Sequence, residues 1–437
     1  MEKFFINRQV LQTVLIGMAV GTLVWAQSPS QTIDLTDALS RAKRYGLQLE
    51  SAEIGRKFAA EDRKQARAAR LPQVNILNQA IITQSNGMSG ISYVASNGAH
   101  EYVEQILGHQ DLLAILRDGD LRRTIAAEAT AKARFDVAAR GITVTVAQDY
   151  YSIVSAQRKF GNAQTSLQEA ERFLDITRKQ EKGGEAAHVD VIKAQLQQRQ
   201  RQRDLEDAQL LILKAKIALA VLIFPDLQVN YDVVDDLGNA LPMVPAAEET
   251  LALAMNTSPD LKVAASLVSE AGFAVKVARY AYLPALTVDL GYGLDANQFA
   301  YRSPDGARNL AYQAIATLSI PVWNWGAIRS RVQQAAYREQ QARLDLTLAE
   351  RTLKGTIATA RQDIQTARTQ VDSLRESSAL ALENVRLTLL RYQAGEATAF
   401  EVVDAQGTLA LSRNAYDDGL IRYRVAVANL QILTGTL

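Results

Sequence analysis

From Ile328 to Ala394 the chain runs 67 residues without a proline, and Gly355 is the only glycine. At 1.5 Å per residue an unbroken helix over that stretch is about 100 Å long, several times the ordinary globular helix. Ile357, Ala360, Ile364, Ala367, Val371 and Leu374 recur in steps of three and four, which is the seam of a coiled coil. A seam of this length cannot be satisfied inside one compact globule. Such helices must pack side by side along their length, on each other and on neighbouring copies.

The same pattern occurs earlier in the chain, 211 residues upstream. Val146, Asp149, Ile153, Ala156, Phe160 and Ala163 repeat the seam with one polar intruder. Gly184-Glu185-Ala186 returns as Gly395-Glu396-Ala397, and Val191, Ala194 and Gln195 return as Val402, Ala405 and Gln406. Leu71-Pro72 returns as Leu283-Pro284, one residue out of that register. The chain is therefore expected to hold two structural repeats, 27–240 and 241–437. Each would contain an opening helix, two strands and a long helical hairpin. The opening helices are placed over about Leu35–Arg70 and Glu248–Tyr282. Asp34 and Thr36 offer capping chemistry to the first, and a Leu-Pro ends each.

After Pro284 the periodicity changes from helix to strand. Leu286, Val288, Leu290, Tyr292 and Leu294 alternate with Thr287, Asp289, Gly291, Gly293 and Asp295. Leu310, Tyr312, Ala314, Ala316, Leu318, Ile320 and Val322 form a second apolar set, and Tyr282, Tyr301, Trp323 and Trp325 flank the pair. Strands of this length with aromatic ends suit a tilted crossing of a bilayer. In the first repeat Val74, Ile76, Ala80 and Ile82 alternate, and a partner strand falls within 102–113. Four strands cannot close a barrel, and an open edge is forbidden in lipid, so a membrane reading demands several copies. Three copies give twelve strands.

Residues 1–26 read as a secretory signal: Lys3 and Arg8, an apolar run from Val10 to Val24, and a cut after Ala26. Hydrophobic residues make up 48%, which excludes wholesale disorder. The formal charge is only +1, and no basic block occurs, so nucleic acid is not an expected partner. Cysteine is absent, which excludes disulfides, thiolate metal sites and a lipid-attachment cysteine. His100, His109 and His188 are dispersed, and no phosphate loop or nucleophile elbow occurs. No enzyme activity, cofactor or metal is expected.

The signal, the duplicated plan and the stretch Arg391-Tyr392-Gln393-Ala394-Gly395-Glu396-Ala397-Thr398-Ala399-Phe400-Glu401-Val402-Val403-Asp404-Ala405-Gln406 together resemble the TolC-type outer-membrane efflux protein family. Lys182 to Val191 resembles the family's first helical turn. The resemblance covers the mature chain and implies a mainly α-helical homotrimer. Its fold would be a periplasmic α-helical barrel crowned by a twelve-stranded outer-membrane β-barrel set in outer-membrane lipid, four strands from each chain. The implied function is an exit duct that serves a tripartite efflux pump or a type I secretion system. Its partners would be a periplasmic adaptor (membrane fusion protein) and an inner-membrane pump or ABC exporter.

Residue by residue, Glu401 and Asp404 match the acidic pore constriction, and their i, i+3 spacing puts both on one helix face. Asp190 and Tyr392 match the latch between neighbouring helix pairs. Gly184 and Gly395 match the turns that an adaptor approaches, and bottom-up they are helix ends that need a left-handed residue. The family's usual Arg is Ala397 here, so a full salt-bridged latch is not expected. A periplasmic coiled-coil adaptor or scaffold that never enters a membrane would share the signal and the hairpins. It would not need the apolar strand band.

Overall fold

Runs of seam residues and runs of alternating residues become separate layers of the molecule. A computed structural model describes residues 31–83, 100–239 and 246–436. The signal reading of 1–26 and the repeat boundary at 240–241 lie outside the described residues. In chain order the elements are β1 (Gln31–Ile33), α1 (Leu35–Tyr45), α2 (Leu47–Ala68), β2 (Gln73–Ile82), β3 (His100–Asp111), α3 (Gly119–Lys182) and α4 (His188–Ile223). There follow β4 (Tyr231–Val233), α5 (Ala247–Thr257), α6 (Pro259–Tyr280), β5 (Ala285–Ala296), β6 (Leu310–Ser319), α7 (Ala327–Gln393) and α8 (Ala399–Thr434).

The long helices carry the architecture: α3 has 64 residues and α7 has 67. α7 buries the seam residues Ile357, Ile364, Ala367 and Val371 and half-buries Ala360 and Leu374, while most residues between them face out. In α3 the matching Val146, Ile153 and Ala156 are buried. Asp149, the polar intruder, is half-buried, and burial pushes its carboxyl above the usual range. Near the sheet the helices lie in the order α2-α3-α6-α7, and at the far end in the order α4-α3-α8-α7. Each hairpin helix therefore packs laterally, as a sustained 3.5-residue period requires.

Both opening helices are broken, against the expectation of single helices. The first stops at Tyr45 because Gly46 is extended (φ −69°, ψ 107°), and its N–H returns to the Ala42 carbonyl at 2.8 Å. A Cβ at Gly46 would lie 2.5 Å from that carbonyl oxygen, so the break needs glycine. The second stops before Pro259, and Ser258 caps the new helix by accepting from Leu261 N. Asp34 caps α1 as expected, accepting from Asp37 N at 2.6 Å.

A parallel pair, β1 with β4, was not legible in the sequence; it brings Gln31–Ile33 alongside Tyr231–Val233. Ile33, Tyr231 and Val233 join the main core, which also takes in α1, α3, α4, α7 and α8. A smaller second core lies at the far tip of the hairpins.

β2, β3, β5 and β6 form one antiparallel sheet in the order β2-β3-β5-β6. The register left open for the second strand is now fixed: Ile76 faces Ile106, Ile106 faces Tyr292, and Tyr292 faces Tyr312. β2 and β6 are the two edges of the sheet in the chain.

Candidate functional site

The two ends of the molecule carry different chemistry. At the sheet end, even-numbered residues share one face through the pairing registers. The row Ile76, Ile106, Tyr292 and Tyr312 crosses all four strands, and each of these side chains is at least 51% exposed in the chain. The row below it is Val74, Gly108, Leu290 and Ala314. Asn78 opposite Glu104 interrupts the band on β2 and β3, in a row that Leu294 and Leu310 complete.

The odd-numbered face is polar. Gln313 Nε2 donates to Gln105 Oε1 at 3.2 Å, and His109 Nδ1 lies 2.6 Å from Asp289 Oδ1. A Cβ at Gly293 would lie 2.0 Å from the Glu104 carbonyl oxygen, and one at Gly291 would lie 2.9 Å from the Gln313 side chain. Both glycines are on the odd face, where the neighbouring strand leaves no room for a Cβ. No described helix is long and apolar enough to cross a membrane.

At the other end are two turns built alike. After α3, Gly184 is left-handed (φ +78°); Glu185 N donates to Gln180 O at 2.8 Å and Gly184 N to Glu181 O at 2.9 Å. After α7, Gly395 is left-handed (φ +77°); Glu396 N donates to Arg391 O at 2.8 Å and Gly395 N to Tyr392 O at 3.1 Å. Each is a Schellman motif that satisfies the last carbonyls of its helix.

The helices that leave these turns are started differently. Thr398 and Glu401 form a capping box: Glu401 N donates to Thr398 Oγ1 at 3.3 Å, and Thr398 N to Glu401 Oε1 at 3.1 Å. Its counterpart Ala187 offers α4 no side-chain cap. There the turn is crossed instead by His188 Nδ1 and Glu181 Oε1, 2.6 Å apart. The sequence signal for the box, Thr-x-x-Glu at 398–401, was present and unread.

The expected site residues occupy these turns. Glu401 serves its cap and lies 3.6 Å from Arg391 Nη1. Asp404, one turn further along α8, is exposed. Asp190 is 3.7 Å from Lys193. Tyr392 is buried in the tip core with its ring edge-on to Phe173 (centroids 5.2 Å apart). Its hydroxyl points to Thr177 Oγ1 at 3.4 Å, so within one chain its hydrogen-bond partner is Thr177. Burial raises the phenol pKa, and the nearby Asp190 charge adds to that rise.

Similarity to known proteins agrees with this geometry. Residues 250–436 match the family model described as outer membrane efflux protein. The chain is 24% identical to the outer membrane protein OprJ of Pseudomonas aeruginosa over 359 residues, 78% of this chain and 69% of OprJ. It is 23% identical to the outer membrane protein TolC of Vibrio cholerae, over 98% of this chain and 95% of TolC. Among solved structures, the CusC channel superposes with a TM-score of 0.80 at 17% identity, covering 94% of this chain and 95% of CusC. The outer-membrane channel OprN gives 0.79 at 17% identity, covering 92% of this chain and 90% of OprN.

Long paired helices joined to a sheet with one apolar and one polar face give this chain the fold of the outer-membrane channels on which it superposes. The chain resembles the TolC-type outer membrane efflux proteins, in its second half through the family model and along nearly its whole length through TolC. It is an outer-membrane exit duct, and the proteins it resembles are outer-membrane channels.

Proposed function

We propose that three copies of the chain close around one axis. Their sheets would form a twelve-stranded barrel in outer-membrane lipid, and their hairpins would form a helical tunnel through the periplasm. The observation that carries this reading is the sheet, with two edges unpaired within the chain, an exposed apolar face and a polar face opposite it. An apolar face suits lipid, but unpaired edges do not, so neighbours must supply β2 with a β6 and β6 with a β2. β5, at 12 residues, is about 40 Å long, and a tilt near 40° brings its height close to the ~30 Å hydrocarbon thickness.

The far turns, centred on Gly184 and Gly395, would receive a periplasmic adaptor, which links the duct to an inner-membrane pump or ABC exporter. The twin Schellman turns support dividing the mature chain into repeats 27–240 and 241–437. Asp404 with Glu401 would form the acidic constriction, six carboxylates in a trimer. Tyr392 and Asp190 would take part in the latch, where the Tyr392 hydroxyl must leave Thr177 or share it.

Mass measurement in detergent and planar-bilayer recording test the duct. A trimer with discrete conductance is expected; a water-soluble monomer that never conducts would refute it. The constriction predicts cation preference. In a tenfold salt gradient the reversal potential should collapse toward zero in Glu401→Ala/Asp404→Ala, and an unchanged potential excludes these residues from the pore.

A further inference from the structure

Asn297–Asn309 joins β5 to β6 at the end of the sheet far from the helices. Within it Arg302 and Arg308 face each other in an antiparallel bridge. Asn309 N donates to Tyr301 O at 3.0 Å, and Ser303 N to Ala307 O at 2.9 Å, so these bonds flank the two arginines. They are therefore a non-hydrogen-bonded pair, the closer of the two cross-strand spacings, with both side chains on one side of the ribbon.

The loop holds them there. Gly306 turns the chain at φ +88°, and its N–H donates to Ser303 O at 2.9 Å. Ser303 Oγ donates to Asn309 Oδ1 at 2.7 Å, and Asn309 Nδ2 to Ala300 O at 2.8 Å. Like charges directly opposed destabilise a ribbon, and both arginines are exposed with no hydrogen bond or ion pair among the described residues. Asp305, the loop's one carboxylate, accepts from Ala307 N at 3.3 Å. The segment 84–99, between β2 and β3 in sequence, contains no acidic residue.

We infer that Arg302 and Arg308 clamp a lipid-borne phosphate at the outer face of the membrane, that of a phosphorylated glycolipid in the outer leaflet. The clamp rests on the membrane placement of the sheet proposed above. Two guanidinium forks on one face match the oxygens of a single phosphate group. A lipid is the source because Phe299 and Tyr301, 68% and 72% exposed, stand beside the pair where the apolar band ends, the level at which aromatics meet headgroups.

The test uses the purified mature protein, phosphatidylcholine vesicles with and without bis-phosphorylated lipid A, and the variant R302Q/R308Q. The wild type should favour lipid A vesicles over plain ones, and the variant should lose about thirtyfold of that preference, the factor for two basic groups at an anionic lipid surface. Millimolar inorganic phosphate should not displace the lipid. Equal preference in both proteins, or displacement by free phosphate at that level, overturns the clamp. Planar-bilayer conductance of the same samples separates the two ideas. Normal conductance without lipid A preference sinks the clamp alone, whereas absence of insertion in the wild type sinks the duct and the clamp with it.

Discussion

α4 and α8 occupy the same place in the two halves of the chain, and both have 36 residues. α8 buries 16 of them and α4 only 7. The difference lies in their neighbours. α8 runs between α3 and α7, whereas α4 packs chiefly along α3 and has an open outer edge. On that edge Val189, Ile192 and Leu196 are exposed at helical spacing. Across the molecule, α7 exposes Leu380, Leu387 and Leu390 in a similar stripe. Two apolar stripes on opposite edges are what a closed ring of copies leaves when one copy is viewed alone. In effect α4 lacks its own chain's version of the α7 contact that α8 enjoys.

The largest expected effect follows from that missing contact. Ile192→Glu/Leu196→Glu should convert the proposed trimer to monomers, because each buried aliphatic side chain is worth about 1.5–3 kcal/mol and every seam of the ring would lose two. Native mass measurement in detergent reads this directly. A trimer of undiminished stability would mean that the α4 edge faces solvent or lumen instead.

The elements at this edge also mark what a sequence can tell. Seam spacing placed α7 over 328–394, within one residue of its observed ends at both sides. Clean alternation placed β5 and β6. β3 was harder, because Glu104 interrupts its apolar face and Glu101, Gln105 and His109 occupy the other. The β1–β4 pair is three residues per strand, joined across 200 residues of chain, and so leaves no periodic trace. Gly46 ends a helix through a backbone turn that a lone glycine in an apolar pattern does not announce. At the turns, glycine spacing marked Gly184 and Gly395. The direction of the Tyr392 hydroxyl depended on Phe173, 219 positions away, drawing the ring into the tip core.

A smaller effect separates the two turns. Thr398→Ala should cost α8 about 1 kcal/mol through loss of its cap. Ala187→Thr should stabilise the start of α4 by a similar amount, since Asp190 stands where Glu401 stands in the capping box. Hydrogen exchange of the first-turn amides should quicken in the first variant and slow in the second. If neither changes, the cross-turn His188–Glu181 pair and the box are equivalent devices and the turns do not differ in how they are held.

The smallest effect returns to α4 and α8 midway along the hairpins. Asp417 on α8 is buried, while its counterpart Glu206 on α4 is exposed. Burial raises the Asp417 pKa, against the lowering influence of Asn162, whose Nδ2 donates at 2.8 Å, and of Arg158 at 3.9 Å. Asp235 and Asp418 push it in the same upward direction as burial. A carboxyl with a raised folded pKa adds stability while protonated, below its unfolded value of 3.8, and loses that contribution as pH rises through the folded value. At neutral pH the buried carboxylate therefore costs stability. Asp417→Asn keeps an oxygen for Asn162 and removes the charge, so it should stabilise the protein at pH 7 by about 1 kcal/mol or less. That gain should fade as the pH is lowered and vanish below 3.8, where the wild-type carboxyl is protonated in both states. Glu206→Gln makes the same change on the open edge of α4, where the side chain is exposed in the single chain. If assembly covers it in the trimer, a gain that appears only in the trimer would place α7 of the next chain over α4. Equal behaviour of the two variants in monomer and trimer would remove the asymmetry between the helices.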